Sequence, residues 1–408
     1  MSAFVPGPRV QVAASARGPL DGLRFAVKDL IDVAGVTTGG GNPDWLASHA
    51  SANRHAPCVE ALLAAGAALD GKTITDELAY SLEGANHHYG TPLNPRWPHA
   101  LPGGSSSGSA SAVASGAVDV ALGTDTGGSV RVPAAFCGLW GMRPSHGAIS
   151  LDGVLPFAPS FDTVGWFARS VDQLAAVGEV LLPASSHDAA STASRPPRLV
   201  RVDDAFALRA RNEPDDARRL AALAQSIGAT ASIDVFGNDA ARWLACYQHV
   251  QDLEIEATLG DWIYSVQPHF GPSIASRFAR LDSLDRDQAS AWLAIRQALR
   301  VSLDALLDDG TVLVMPTTPV ALLPKDATND AIGRFYQDAL TLNAIATIGG
   351  LPQITLPFAE EIDEIDEIDR PLALSIVGAR GSDRALLQLA RELAARHPFA
   401  QPTTPDVR

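Results

Sequence analysis

Two stretches decide the reading of this chain: Gly103-Gly104-Ser105-Ser106-Ser107-Gly108-Ser109 and Val118-Asp119-Val120-Ala121-Leu122-Gly123-Thr124-Asp125-Thr126-Gly127-Gly128-Ser129-Val130-Arg131. The apolar run Val118–Leu122, bounded by Gly123, reads as a buried strand that leads into a glycine loop. Between the two stretches, Ser109–Gly116 is small and alanine-rich, which suits a helix packed tightly in an interior. Upstream, Leu23–Val27 reads as a short strand between Gly22 and the turn-like segment Asp32–Gly41. Cys58–Gly66 reads as an amphipathic helix closed by a C-terminal glycine. Strand, glycine loop and helix alternate in this way to about residue 170, which is the pattern of an α/β fold.

From Val171 to about Asp309 the character changes. Residues 187–196 are rich in Ser, Ala and Asp and read as an exposed connection. Asp215–Ile227, Asn238–Tyr264 and Ile274–Leu307 show helical periodicity, with Trp243, Trp262 and Trp292 among their apolar positions. Tryptophans at that spacing are expected in a core, the alternative being a substrate wall. Val312–Pro316 and Gln353–Pro357 read as strands stopped by proline. The acidic repeat at 360–369 reads as a solvated loop or hairpin tip, with partner binding as the other possibility. Ser382–His397 carries a regular apolar stripe and reads as the last helix.

Composition narrows the function classes. The chain has 408 residues, long enough to bury a sizeable core, with 46% hydrophobic and 19% charged residues. A net charge of −15 disfavours a nucleic-acid binder that works through phosphate contacts. Cys58, Cys137 and Cys246 are too few and too scattered for a disulfide framework or a metal motif, which points to a reducing compartment. Met1–Leu20 holds no continuous apolar run, so neither a signal peptide nor a membrane anchor is expected. These features describe a soluble, cytoplasmic protein.

The chemistry lies in the opening stretches. Glycine has no Cβ, so the backbone there can approach a ligand and aim several N–H groups at one oxygen. Such groups can hold the charge that develops when a hydroxyl attacks an amide or ester. Ser129 follows two glycines, and Lys28 in Phe25-Ala26-Val27-Lys28-Asp29 is a candidate base if desolvated. Each element also has a plainer reading. A Gly/Ser run alone is a linker, and strand alternation sets Lys28 beside Arg24 and Ala26 on a solvated face. Asp125 and Arg131 flank Ser129, Ser106 follows Ser105, and these three read as partners that pin the loops. His87 and His88 are adjacent, so on a strand they would face opposite ways and make no metal pair. His146 and Cys137 read as structural.

Gly103–Ala110 together with Gly123–Gly138 resembles the core of the amidase signature family. The interval between Ser105 and Ser129 is the family's, and Phe25–Asp29 resembles its lysine-bearing strand. The likeness continues through the Pro316 region and Gly378–Asp383. It implies an α/β fold with a mixed central β-sheet covered by helices on both faces. It also implies a single domain over 1–408, with the signature core at 60–170 and a variable, mostly helical insertion at 171–309 that forms part of the substrate pocket. The implied enzyme is a hydrolase of a small-molecule amide that works without metal or cofactor, as a monomer or homodimer. Ser129 is then the nucleophile, Ser105 the bridging serine after a cis peptide, and Lys28 the base. The N–H groups of Thr126, Gly127, Gly128 and Ser129 form the oxyanion hole. Ser107 departs from the family, which usually has glycine there. His88–Pro92, Arg143–Gly147 and Ser160–Arg169 further resemble a plant subgroup that hydrolyses indole-3-acetamide. Two other functions share the resemblance: the A subunit of an aminoacyl-tRNA amidotransferase, and an inert amidase-like interaction domain such as that of a chloroplast import receptor.

Overall fold

The computed structural model describes residues 2–184, 197–358 and 370–399, and it contains eleven strands in one sheet. In chain order these are β1 Gln11–Val12, β2 Arg24–Lys28, β3 Ala68–Thr73, β4 Val120–Thr124, β5 Trp140–Arg143, β6 Val164–Ala168, β7 Arg198–Val202, β8 Ala231–Ile233, β9 Thr311–Pro316, β10 Gln353–Phe358 and β11 Leu372–Val377. Their spatial order is β1-β3-β2-β4-β6-β5-β10-β11-β9-β7-β8. The sheet is mixed: β2 runs parallel to β3 and β4, and β7 parallel to β8 and β9, while the pairs that join these groups are antiparallel.

Alternation along single strands shows that both faces are covered. On β9, Val312 and Val314 enter one apolar core while Leu313 and Met315 enter another. The first core includes residues of the helices Pro57–Ala64, Val171–Leu181, Pro214–Ser226 and Asp383–Ala394. The second includes residues of Ala240–Val266, Ala289–Leu307 and Asn329–Gly349. On β2, Phe25 and Val27 join the first core, whereas Ala26 meets the alanine-rich helix Ser107–Ala114. Small residues on that helix let it lie close to the sheet. This is the α/β arrangement expected from the sequence.

Some local expectations are corrected. Ile274–Leu307 is not one helix: Pro272–Phe278 and Ala289–Leu307 are separated by two short 3₁₀ turns. Leu284 is extended, and the Asp285 side chain accepts from the N–H of Asp287, which starts the second turn. Strand β10 does not stop at Pro357 but runs on to Phe358. Its pairing with β5 covers only Gln353–Thr355, so at Pro357 one edge of the strand is no longer paired to β5 and the missing N–H is tolerated. His87 and His88 sit in a turn rather than on a strand. Of the tryptophans, Trp243 is buried, while Trp262 and Trp292 are half-buried. The segments 187–196 and 360–369 lie outside the described residues. Among the described residues no helix is long and apolar enough to cross a membrane.

Candidate active site

Strands β2 and β4 run side by side in parallel, so their C-terminal residues, Lys28 and Thr124, come together at one edge of the sheet. This end of parallel strands is where α/β folds place ligands. The expected solvated face for Lys28 is wrong: the residue is fully buried. Period-two alternation fails because β2 is a central strand, hydrogen-bonded on both sides and covered on both faces. Lys28 Nζ donates to Ser105 Oγ and Thr124 Oγ1, each at 2.8 Å. Its partners are hydroxyls, whereas the other buried lysine, Lys72, lies 2.8 Å from Asp29 Oδ1. Burial pushes the Lys28 ammonium down to about 7, against the opposing pull of the carboxylates of Asp76, Asp125 and Asp162.

Ser105 follows a cis Gly104–Ser105 peptide. Its carbonyl accepts from the N–H of Asp76 at 3.1 Å, and the Asp76 carboxylate accepts from Gly84 N at 2.9 Å and Ser107 Oγ at 3.2 Å. Glycine at 104 is required here, because a Cβ would stand 2.1 Å from Asp76 Oδ2. Burial raises the Asp76 carboxyl, with Glu83 adding to the rise. Ser106 N donates to the carbonyl of Ser129 at 3.2 Å, which draws the two serine-bearing segments together. Ser106 Oγ donates to the carbonyl of Thr124 at 3.1 Å.

The loop that carries Ser129 is organised around Asp125. One carboxylate oxygen accepts from Gly128 N at 3.0 Å, Arg131 Nη2 at 2.7 Å and Arg143 Nη1 at 3.1 Å. The other accepts from Val130 N at 3.0 Å, Arg131 N at 3.2 Å and Arg131 Nε at 3.0 Å. Burial alone would raise this carboxyl, but the Arg131 and Arg143 guanidiniums outweigh it and hold the group well below the usual carboxylate range. Arg131 extends the network through Nη1 to the carbonyl of Asn343 and to Gln353, and through Nη2 to Thr347. The N–H of Gly128 is thus committed to Asp125. Thr126, Gly127 and Ser129 border the cavity.

That cavity is small, about 10 Å³, room for roughly one water molecule. Its other walls are largely aromatic and apolar, among them Tyr80, Leu82, Phe157, Tyr247, Tyr336 and Leu340, with Ser81, whose hydroxyl donates to Glu83, and Gln251 as polar members. Tyr247 presses directly on the loop, since a Cβ at Gly127 would fall 2.3 Å from its hydroxyl. His87, His88, His146, Cys137 and the tryptophans do not line this space. His88 Nε2 lies 3.1 Å from Glu77, His146 Nε2 2.8 Å from the carbonyl of Pro159, and Cys137 is buried with its thiol pushed up by burial.

Sequence reading missed Thr124, Asp76, Arg143, Tyr247 and Gln251. Two of them carried a signal: Arg143 is a charge at the end of the otherwise apolar strand β5, and Thr124 directly precedes Asp125 in the second motif. Tyr247 and Gln251 are indistinguishable by pattern from other positions of their helix.

The model of the Amidase family matches residues 9–235. Amidase 1 of Arabidopsis thaliana is 38% identical, over 96% of this chain and 98% of that protein. The chloroplastic Outer envelope protein 64 of the same plant is 36% identical over 92% of this chain, which spans 66% of that protein's length. A crystal structure of an amidase superposes with a TM-score of 0.79 at 29% identity, covering 94% of this chain and 86% of that one. The chain belongs to the amidase family and is a hydrolase of amide C–N bonds.

Proposed function

We propose that the protein hydrolyses a small primary amide through an acyl-enzyme on Ser129, with Ser105 and Lys28 moving the proton. The observation that carries this reading is the fully buried Lys28, whose amine donates to the hydroxyls of Ser105 and Thr124. A lysine held down to about 7 is substantially neutral at working pH and able to act as a base. Lys28 takes the proton of Ser105, Ser105 takes that of Ser129, and the Ser129 alkoxide attacks the amide carbonyl. The oxyanion meets the N–H groups of Thr126, Gly127 and Ser129, with Gly128 excluded because its N–H belongs to Asp125. Collapse of the tetrahedral species returns the proton through Ser105 to the leaving nitrogen and releases ammonia. Water then repeats the sequence on the acyl-enzyme and releases the acid.

The aromatic walls suit an arylacetyl group, and the tightness of the cavity favours a small one. Binding such a group requires the tyrosine wall to yield. We assign residues 1–408 to one catalytic unit in which the 171–309 stretch supplies Tyr247 and Gln251 to the pocket. An inert interaction domain has no chemical need to desolvate a lysine against a serine hydroxyl. The test is a mass spectrum of intact protein after treatment with a fluorophosphonate, followed by ammonia release from indole-3-acetamide. One adduct mapping to Ser129, together with turnover, is the expected result. Folded protein that takes no adduct and releases no ammonia would sink the reading.

A further inference from the structure

We propose that Gln251 selects substrates whose acyl portion carries an N–H group. This rests on the acyl-enzyme reading above and adds to it the feature by which one amide is preferred to another. Gln251 lines the cavity beside Ser129 and is 2% exposed, so its amide is cut off from bulk water. Its Nε2 donates to Tyr247 Oη at 2.5 Å, one helical turn away on Ala240–Val266. Its Oε1 has no hydrogen-bond partner among the described residues. A buried carbonyl oxygen left without a donor is a cost that a ligand N–H removes. The contact with Tyr247 fixes which end of the amide remains free, and Tyr247 is itself wedged against Gly127.

The side of the substrate that meets Gln251 follows from proton transfer. The leaving nitrogen must reach Ser105 and Lys28, and neither residue lines this cavity. The cavity with its tyrosine and phenylalanine walls therefore belongs to the acyl half. Of the two polar side chains on that wall, the Ser81 hydroxyl donates to Glu83, whereas Gln251 Oε1 has no partner among the described residues, so a ring N–H would find an acceptor there. Recognition of this kind discriminates more sharply than shape, because an analogue lacking the donor leaves Oε1 unpaired in the complex.

The test compares kcat/KM for indole-3-acetamide and 1-benzothiophene-3-acetamide, which share a bicyclic shape but differ in the ring N–H. The wild-type protein is expected to favour the indole by about tenfold or more. Gln251→Met should bring the ratio close to unity, and Gln251→Glu, which keeps an acceptor, should retain a preference for the indole. Fluorophosphonate labelling of Ser129 in each variant verifies that the site is assembled. Hydrolysis of both amides without preference by the wild-type protein overturns the assignment of Gln251 and leaves the amidase reading standing. An unchanged ratio in Gln251→Met, or a wild-type preference for the benzothiophene, overturns it as well. Hydrolysis of neither amide overturns it together with the arylacetamide reading.

Discussion

The loop that carries Ser129 and the helix that faces it treat their polar groups in opposite ways. Between Asp125 and Arg131 the carboxylate is saturated: each oxygen of Asp125 accepts from three donors. On the facing helix, Gln251 lines the cavity and its Oε1 is buried without a hydrogen-bond partner among the described residues. A saturated network holds the backbone in one geometry, which is what donors aimed at a developing charge require. A wall with spare hydrogen-bonding capacity can exchange partners when a substrate enters. The comparison suggests a division of labour, with the chemistry built into the rigid loop and the choice of substrate into the helix.

The largest effects belong to the loop side. Ser129→Ala is expected to lower kcat by at least about 10³-fold while circular dichroism stays that of the wild type. Residual activity within about tenfold would remove Ser129 as the nucleophile. Lys28→Ala should be nearly as damaging, and in the wild-type protein kcat/KM should rise with pH through about 7 and level off above it, as Lys28 loses its proton. A rate independent of pH from acid to alkaline solution would mean that another base serves Ser129.

Asp125→Asn tests rigidity directly. The substitution withdraws the charge that Arg131 and Arg143 share while both remain fully buried, a loss of about 3–5 kcal/mol by the usual cost of breaking a buried ion pair. Urea denaturation measures it. A change below about 1 kcal/mol, the size of an exposed pair, would mean that the loop is held by something other than this carboxylate.

How much of this was legible depends on the range of the forces involved. Glycine and serine loops declare themselves locally, because the absence of a Cβ at Gly104 and Gly127 answers a contact that only glycine permits. The strand–loop–helix alternation was likewise readable, since buried parallel strands are written as short apolar runs. Lys28 was not readable from its own surroundings. Its alternation suggests a solvated face, and burial comes from β3, β4 and helices distant in sequence. Asp76 and Gln251 share that difficulty: their meaning lies in which neighbour they meet, Gly104 in one case and Tyr247 in the other. The break between Phe278 and Ala289 was missed because apolar periodicity continues on both sides of it, while the turn is made by Asp285.

A smaller effect separates electrostatics from architecture at Lys28. Asp76 is the foremost of the carboxylates that raise the Lys28 amine, against the larger effect of burial. Asp76→Asn removes that charge and keeps one oxygen to accept from Gly84 N, while its amide NH2 faces Ser107 Oγ, a hydroxyl that can accept instead of donate. With less negative charge nearby, the protonated lysine is disfavoured and its pKa falls. The rising limb of the pH profile should therefore move to lower pH. A limb that stays in place, or moves upward, would assign the ionisation to another group or make Asp76 a purely structural partner of Ser105.

The smallest effect probes the seam between the two regions. Tyr247→Phe deletes the hydroxyl that accepts from Gln251 Nε2 and abuts Gly127, leaving the ring in the wall. One buried hydrogen bond is worth about 0.5–1.5 kcal/mol, which corresponds to a change of roughly tenfold or less. If selection and chemistry are separable, the change should be seen in KM, because Gln251 loses the contact that fixes its orientation while the Asp125 network is untouched. A fall in kcat of about a hundredfold would require some 2.7 kcal/mol at the transition state, the scale of a lost oxyanion donor. That outcome would show that Tyr247 sets the position of Gly127. The wall would then be part of the catalytic loop, and the division between the two regions would fail at this hydroxyl.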